Sequence, residues 1–119
     1  MLFATKYRKK LFENQVIVFE LKRKIQEIAD RSNFDVELIE VDRDHIHILV
    51  DYDPNISIVQ IVRRLKQETQ YHMWAIFEKE LRKVYWKESN IFWSKGYFVC
   101  SIGEGASYET IQEYIKNQG

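Results

Sequence analysis

The segment RDHIHILVD, residues 43–51, places two histidines one residue apart in a run that predicts a β-strand. Side chains alternate between the two faces of a strand, so His45 and His47 share one face while Ile46 and Ile48 share the other. The isoleucine face is typical of a protein core. Two neutral imidazoles at this spacing can bind one divalent cation, although a surface strand with two unrelated histidines has the same pattern.

A catalytic metal site needs a further ligand and a nucleophile, and the C-terminal segment offers both. Tyr114 and Gln118 are four residues apart in a predicted helix over residues 108–118, so they share one helical face. The amide oxygen of Gln118 can bind a hard cation, and the phenol of Tyr114 can attack phosphorus. The same spacing also fits a Tyr114 that packs in the core beside Ile111 and Ile115, with Gln118 at a frayed helix end. The residues alone leave both interpretations open.

Composition narrows the class of protein. The 119 residues are 45% hydrophobic and 14% aromatic, which fits one compact domain, and no apolar run is long enough to cross a membrane. The N-terminus lacks the pattern of a secretory signal. Cys100 is the one cysteine, which excludes an internal disulfide and a cysteine-rich zinc site. These features together predict a cytoplasmic protein.

The formal net charge is zero, but the charges are unevenly distributed. Residues 1–26 carry seven basic and two acidic side chains, and residues 54–87 carry seven basic and three acidic ones. Residues 27–53, between them, carry two basic and nine acidic side chains. Acidic groups near a cation site and basic groups for phosphates would give this pattern, as would an ordinary solvated surface.

Hydrophobic periodicity predicts the elements that position these residues. The predicted elements are a strand over 2–7, a helix over 14–31 capped by Asn14, strands over 34–41 and 45–52 joined by a turn at 42–44, a helix over 57–82, a strand over 91–102 and a helix over 108–118. The first six have the βαββαβ order of a ferredoxin-like (RRM-like) α+β sandwich, in which two helices cover one face of an antiparallel sheet. We expect the histidines on the less covered face, with the last helix attached through the linker GEGAS, residues 103–107.

Four ordered segments resemble the signature segments of one protein family. HIHILV is similar to the His-hydrophobe-His (HUH) motif. TKYRKKLF (5–12), WSKGYFVCSIG (93–103) and YIKNQ (114–118) resemble, in order and spacing, segments of the small single-tyrosine HUH transposases of the insertion-sequence 200/605 family. The resemblance runs from about residue 2 to residue 118, so we interpret residues 1–119 as a single HUH transposase domain.

The resemblance implies a reaction and its site residues. Members of the family are homodimers that cut and rejoin single-stranded DNA at the ends of a mobile element after recognising hairpins. By this resemblance His45, His47 and Gln118 are ligands of a divalent ion, and Tyr114 is the nucleophile that forms a 5′-phosphotyrosine intermediate. Nitrogen and oxygen ligands favour Mg²⁺ or Mn²⁺, with zinc as a further option. The tyrosine helix can dock on the same chain or on the partner, and the protein would be nucleoid-associated when bound to DNA.

Two basic clusters are expected to contact DNA phosphates. The candidates are Lys6, Arg8, Lys9 and Lys10, followed by Arg63, Arg64 and Lys66. Three aromatic residues, Trp93, Tyr97 and Phe98, are candidates for stacking on unpaired bases or for the core.

The sequence also departs from the family pattern. The first strand is short, the chain stops at Gly119, and the stretch LKQETQYHMW lacks the usual glycine and Ser/Arg pattern. The alternative function is therefore a catalytically decayed or domesticated module of the same fold that binds single-stranded nucleic acid. A structural dimer with an unrelated histidine pair is a third interpretation.

Overall fold

A β-hairpin forms the centre of the structure, a computed structural model that describes residues 1–86 and 90–100. Strand β2 (Phe34–Asp42) pairs antiparallel with strand β3 (His45–Tyr52), as the alternating pattern predicts. A β-bulge between Val36 and Leu38 shifts the register, so Glu40 lies opposite His47 and Asp42 lies opposite His45. The hairpin therefore brings acidic side chains across from both histidines.

Strand β1 (Leu2–Ala4) pairs antiparallel with the other edge of β3, giving the sheet order β1-β3-β2. The chain returns along the outer edge of β1 through two isolated bridges, from Leu2 to Phe98 and from Thr5 to Trp93. The prediction of a strand over 91–102 is therefore wrong for residues 91–100, which form no continuous strand. Reciprocal hydrogen bonds between Leu2 and Phe98 nevertheless place this segment beside β1. Residues 101 and 102 lie outside the described residues.

Helix α1 (Gln15–Asp30) follows β1 after two short 3-10 helices at Lys6–Arg8 and Leu11–Glu13. The Asn14 side chain accepts hydrogen bonds from the Val16 and Ile17 amides, which confirms the predicted N-cap. Apolar residues at helical spacing on α1 are buried against the sheet and the second helix. They are Ile17, Val18, Leu21, Ile25, Ile28 and Ala29.

The helix predicted over 57–82 is two helices, α2 (Ile58–Ile76) and α3 (Glu78–Val84). The helical geometry breaks at Phe77, whose φ of −111° and ψ of 32° lie outside the helical region. Met73, Phe77 and Leu81 remain buried on both sides of the break. The break therefore turns the chain without exposing the apolar face.

The architecture confirms an α+β fold with an antiparallel sheet and helices that share one hydrophobic core. The central strand contributes Ile46 and Ile48 to that core, with 0% and 1% exposure. Among residues 1–86 and 90–100, no helix has the length and apolar content needed to cross a membrane. The predicted C-terminal helix over 108–118, with its linker, lies outside the described residues.

Candidate metal and DNA site

The two histidines lie on the face of β3 opposite the buried isoleucines, as the alternation predicts. Their side chains are 13% and 14% exposed, so both imidazoles are largely shielded from water. Carboxylates of the hairpin lie within 4 Å of both imidazoles, so the histidines have a polar environment. His45 and His47 therefore form a recessed, polar pair on one strand.

His45 is oriented by the carboxylate that precedes it. Its Nδ1 lies 2.9 Å from Oδ1 of Asp44, and Arg8 donates to the same carboxylate through Nε at 3.1 Å and Nη2 at 3.3 Å. Burial opposes ionisation of Asp44, but the hydrogen bonds from His45 and Arg8 outweigh it and lower the pKa of the carboxyl. A charged Asp44 favours a proton on Nδ1 of His45, which leaves the Nε2 lone pair available to a cation.

His47 has a buried nitrogen without a hydrogen bond. Among the described residues, Nε2 of His47 neither donates nor accepts a hydrogen bond, although Oε2 of Glu40 lies 3.2 Å away on the paired strand. Burial lowers the pKa of the His47 imidazole, and the Glu40 carboxylate opposes that shift only in part. Buried polar atoms without partners are uncommon in folded proteins. Histidine binds metals through an unprotonated ring nitrogen, and the lowered pKa of His47 favours that form.

The two histidines do not by themselves complete a metal site. Within residues 1–86 and 90–100, no group of three or more His, Cys, Asp or Glu side chains has the arrangement of a metal site. The predicted third ligand, Gln118, and the predicted nucleophile, Tyr114, lie outside the described residues. The structure thus positions the two histidines together, while the roles of Gln118 and Tyr114 stay predictions.

The first basic cluster lies in the turn after β1, beside the histidine strand. Lys9 and Lys10 are exposed, and Arg8 is tied to Asp44. The Lys6 ammonium lies 5.1 Å from the centroid of the Tyr7 ring. The turn reaches the hairpin directly, since the Thr5 amide donates to the Asp44 carbonyl at 2.9 Å. The turn that carries this cluster therefore lies beside the turn that precedes the first histidine.

The second basic cluster is only partly available to a ligand. Arg63 is exposed, whereas Arg64 donates to Glu68 at 2.6 Å. The Lys66 ammonium donates to the carbonyls of Ser94, Lys95 and Gly96 at 2.7, 3.1 and 3.2 Å, and burial lowers its pKa. These acceptors take up the three N–H donors of Lys66. The sequence pattern indicates a surface cation at Lys66, but in the structure its ammonium group binds the turn at residues 94–96.

The aromatic residues proposed to stack on bases have different environments. Trp93 is 6% exposed, donates from its indole nitrogen to Thr69 at 2.9 Å and packs against Phe3 and Phe92. Of the two alternatives for Trp93, the structure therefore supports the core, because its ring is buried there. Tyr97 is 43% exposed and Phe98 is partly buried, so stacking by these two stays a prediction.

Sequence reasoning did not single out Asp44 and Glu40. Asp44 directly precedes the first histidine in the turn of the hairpin, and Glu40 is opposite the second histidine only through the observed register. The position of Asp44 could have been noted from the sequence. That of Glu40 required the bulge-dependent register, which the alternation of β2 does not specify.

Comparison with known proteins connects this geometry to a family. The family described as "Transposase IS200 like" matches residues 1–118. The chain is 30% identical over 120 residues to the transposase for insertion sequence element IS200 of Salmonella typhimurium, covering 99% of the chain and 74% of the relative. It is 28% identical to the ISDra2 transposase TnpA of Deinococcus radiodurans, covering 99% of the chain and 81% of the relative. A solved structure from Deinococcus radiodurans R1, provisionally described as a transposase, matches with a TM-score of 0.78 and 29% identity, covering 98% of this chain and 86% of that one.

Proposed function

The chain belongs to the IS200-like transposase family, and we propose that it cuts and rejoins single-stranded DNA through a covalent bond to Tyr114. The observation that carries this proposal is the recessed pair formed by His45 and His47. One imidazole is oriented by Asp44 and the other has a buried Nε2 without a hydrogen bond among the described residues. Such a pair suits cation binding beside a phosphate better than it suits a purely structural role.

The ligands of the divalent ion in this proposal are Nε2 of His45, Nε2 of His47 and the amide oxygen of Gln118. Mg²⁺ and Mn²⁺ are the proposed ions, because nitrogen and oxygen ligands with room for phosphate oxygens suit them. When bound, the ion would polarise the scissile phosphate and offset the charge that develops in the transition state. Asp44 acts through His45, since its carboxylate fixes which imidazole nitrogen faces the ligand.

Tyr114 forms the covalent intermediate. Its phenolic oxygen attacks the scissile phosphorus and loses a proton. The bond between phosphorus and the 3′ oxygen breaks, and that oxygen gains a proton. The product is a 5′-phosphotyrosine and a free 3′-hydroxyl. A second 3′-hydroxyl can then attack the phosphorus and release Tyr114, which recovers its proton. The number of phosphoester bonds is unchanged, so joining needs no ATP.

DNA binding rests on three exposed basic side chains and one that is partly buried, Lys6. Lys6, Lys9, Lys10 and Arg63 are the proposed phosphate contacts, with Arg8 and Arg64 as secondary ones because both already pair with carboxylates. Phosphate contacts of this kind make affinity fall with salt. The proposed substrate is single-stranded DNA with hairpin ends, handled by a homodimer in the cytoplasm.

The finer fold assignment is ferredoxin-like. The order of β1, α1, β2, β3 and α2 fits it, and the segment beside β1 takes the place of the fourth strand. A tyrosine helix after that segment would complete the domain. This assignment supports the function because it gives the histidine face of the sheet to the DNA and the opposite face to the helices.

Strand cleavage tests the proposal. Labelled single-stranded oligonucleotides that cover both flanks of the gene would be incubated with the protein and Mn²⁺, then separated on a denaturing gel. We expect a shorter product and a protein-linked product, both lost with EDTA and with His47→Ala. Tyr71→Phe, at an exposed tyrosine on α2 with no proposed role, serves as a control that should retain cleavage. Tight binding without cleavage would instead indicate a nucleic-acid-binding module, and no binding at low salt would contradict both.

A further inference from the structure

The turn after β1 contains two consecutive non-glycine residues with left-handed backbone conformation. Tyr7 has φ 59° and ψ 20°, and Arg8 has φ 52°. A side chain with a Cβ atom makes this conformation unfavourable, so it persists only where the surroundings impose it. Residues with strained backbone conformations concentrate at ligand sites, so the exposed side chains of this turn are candidates for ligand contact.

Buried hydroxyls and one ion pair hold the strained turn in place. The Thr5 hydroxyl donates to the Lys9 carbonyl at 2.7 Å, and the Tyr85 hydroxyl donates to the Lys6 carbonyl at 2.8 Å. Thr5 and Tyr85 are 0% and 2% exposed. Arg8 adds its pair with Asp44 at the surface. The backbone is thus fixed from the inside, and the side chain of Tyr7 is presented outward on a rigid support.

The displayed groups match the parts of a nucleotide. The Tyr7 side chain is 59% exposed, although burial of a large aromatic ring would lower the free energy of the protein. The Lys6 ammonium lies 5.1 Å from its ring centroid, and Lys9 and Lys10 are exposed in the same turn. A nucleotide has a flat π face beside a negatively charged phosphate, so an aromatic ring beside ammonium groups suits single-stranded nucleic acid.

The turn is also next to the histidine pair. Oδ1 of Asp44 binds both Nη2 of Arg8 and Nδ1 of His45, so one carboxylate connects the turn to the first histidine. We propose that Tyr7 is a stacking site for an unpaired nucleobase of the DNA strand held at the histidine pair. This inference rests on the proposed function, because it assigns one of the contacts of that strand.

The test compares four proteins by fluorescence anisotropy with a fluorescein-labelled thymidine 20-mer in EDTA. Tyr7→Ala should weaken binding about 5- to 150-fold, while Tyr7→Trp should bind about as well as the wild type. Tyr71→Ala is the matched control, since Tyr71 is an 81% exposed tyrosine on α2, and it should leave binding unchanged. The slope of affinity against salt should be the same for Tyr7→Ala and the wild type, because stacking neutralises no phosphate.

Two further measurements separate stacking from other causes. Tyr7→Gly should unfold at no lower temperature than the wild type, since glycine adopts the left-handed conformation without strain, yet it should lose affinity like Tyr7→Ala. On a 20-mer with abasic sites, the difference between wild type and Tyr7→Ala should disappear. If the wild type and Tyr7→Ala bound the 20-mer with equal affinity, the stacking site alone would be overturned. A wild type that bound a single-stranded oligonucleotide with a hairpin end but not the 20-mer would also overturn the stacking site. A wild type that bound neither oligonucleotide would overturn the proposed function as well.

Discussion

Replacing Asp44 with asparagine is expected to weaken Mn²⁺ binding without unfolding the protein. Asp44 accepts from His45 at 2.9 Å and from two nitrogens of Arg8, so its charge fixes the proton on the far side of the imidazole from the proposed ligand atom. Loss of such a supporting carboxylate typically reduces metal affinity by about 10- to 100-fold, or about 1.4 to 2.7 kcal/mol. An asparagine can rotate to present either its oxygen or its amide nitrogen, so the imidazole is no longer held in one tautomer.

The effect on folding should be small. The Arg8 side chain is 46% exposed, and an exposed ion pair contributes at most about 1 kcal/mol. The Thr5 amide bonds the backbone carbonyl of Asp44, which the substitution leaves in place. We therefore expect the midpoint of thermal unfolding to fall by no more than about 5 °C.

Isothermal titration calorimetry with Mn²⁺ measures the affinity directly. Asp42→Asn is the matched control, because Asp42 is 68% exposed and its carboxylate lies 3.9 Å from Nε2 of His45 without a hydrogen bond to it. Asp42→Asn should bind Mn²⁺ nearly as tightly as the wild type. If Asp44→Asn also bound like the wild type while His47→Ala did not bind, the orienting role of Asp44 would be refuted.

Three other predictions concern stability and DNA affinity. Lys66→Met should lower the free energy of unfolding by about 1 to 3 kcal/mol in urea melts, because three carbonyls lose their donor; unchanged stability would contradict the structural role of Lys66. Hydrogen bonds from Arg23 and then His72 lower the pKa of Glu20 from 4.5 to about 2, so Glu20 stabilises the fold above pH 4.5 and the contribution is lost as the pH falls towards 2. Glu20→Gln should cost about 1 kcal/mol at pH 7 after allowance for solvent screening, with no difference from wild type near pH 2, and equal melts at both pH values would refute the assignment. Replacing Lys9 and Lys10 together with glutamine should reduce the salt slope of single-stranded DNA binding by about 1.4, and an unchanged slope would exclude them as phosphate contacts.

The histidine strand could be predicted because its pattern is local. Alternation placed Ile46 and Ile48 on one face and the histidines on the other, and the boundaries of β3 match the predicted residues 45–52. The N-cap at Asn14 was equally readable, since a side-chain acceptor before an apolar helical pattern is a local signal. Features that depend on neighbouring residues along the chain were therefore recovered from the sequence.

The break between α2 and α3 left no trace in the apolar pattern. Met73, Phe77, Leu81 and Tyr85 are spaced four residues apart and all are buried, so the spacing continues through the turn at Phe77. A sequence pattern with uninterrupted helical period predicts one helix. Only the packing of both segments around the same core reveals that the chain turns.

Long-range partners also escaped prediction. A lysine beside two arginines looks like part of a charged surface, but Lys66 meets three carbonyls about thirty residues away in the sequence. For Trp93 the sequence leaves base stacking and the core open, and only its contacts with Phe3 and Phe92 decide for the core. Tyr7, in contrast, is an aromatic residue that is exposed, and its exposure follows from a strained turn that no local pattern indicates.

Mapping the covalent DNA adduct tests whether Tyr114 is the nucleophile. The protein would be incubated with Mn²⁺ and single-stranded oligonucleotides from both flanks of the gene, digested with nuclease and protease, and analysed by tandem mass spectrometry. We expect a nucleotide linked through its 5′ phosphate to Tyr114, absent in EDTA and in Tyr114→Phe. Cleavage with an adduct on another residue, or cleavage that persists in Tyr114→Phe, would contradict it.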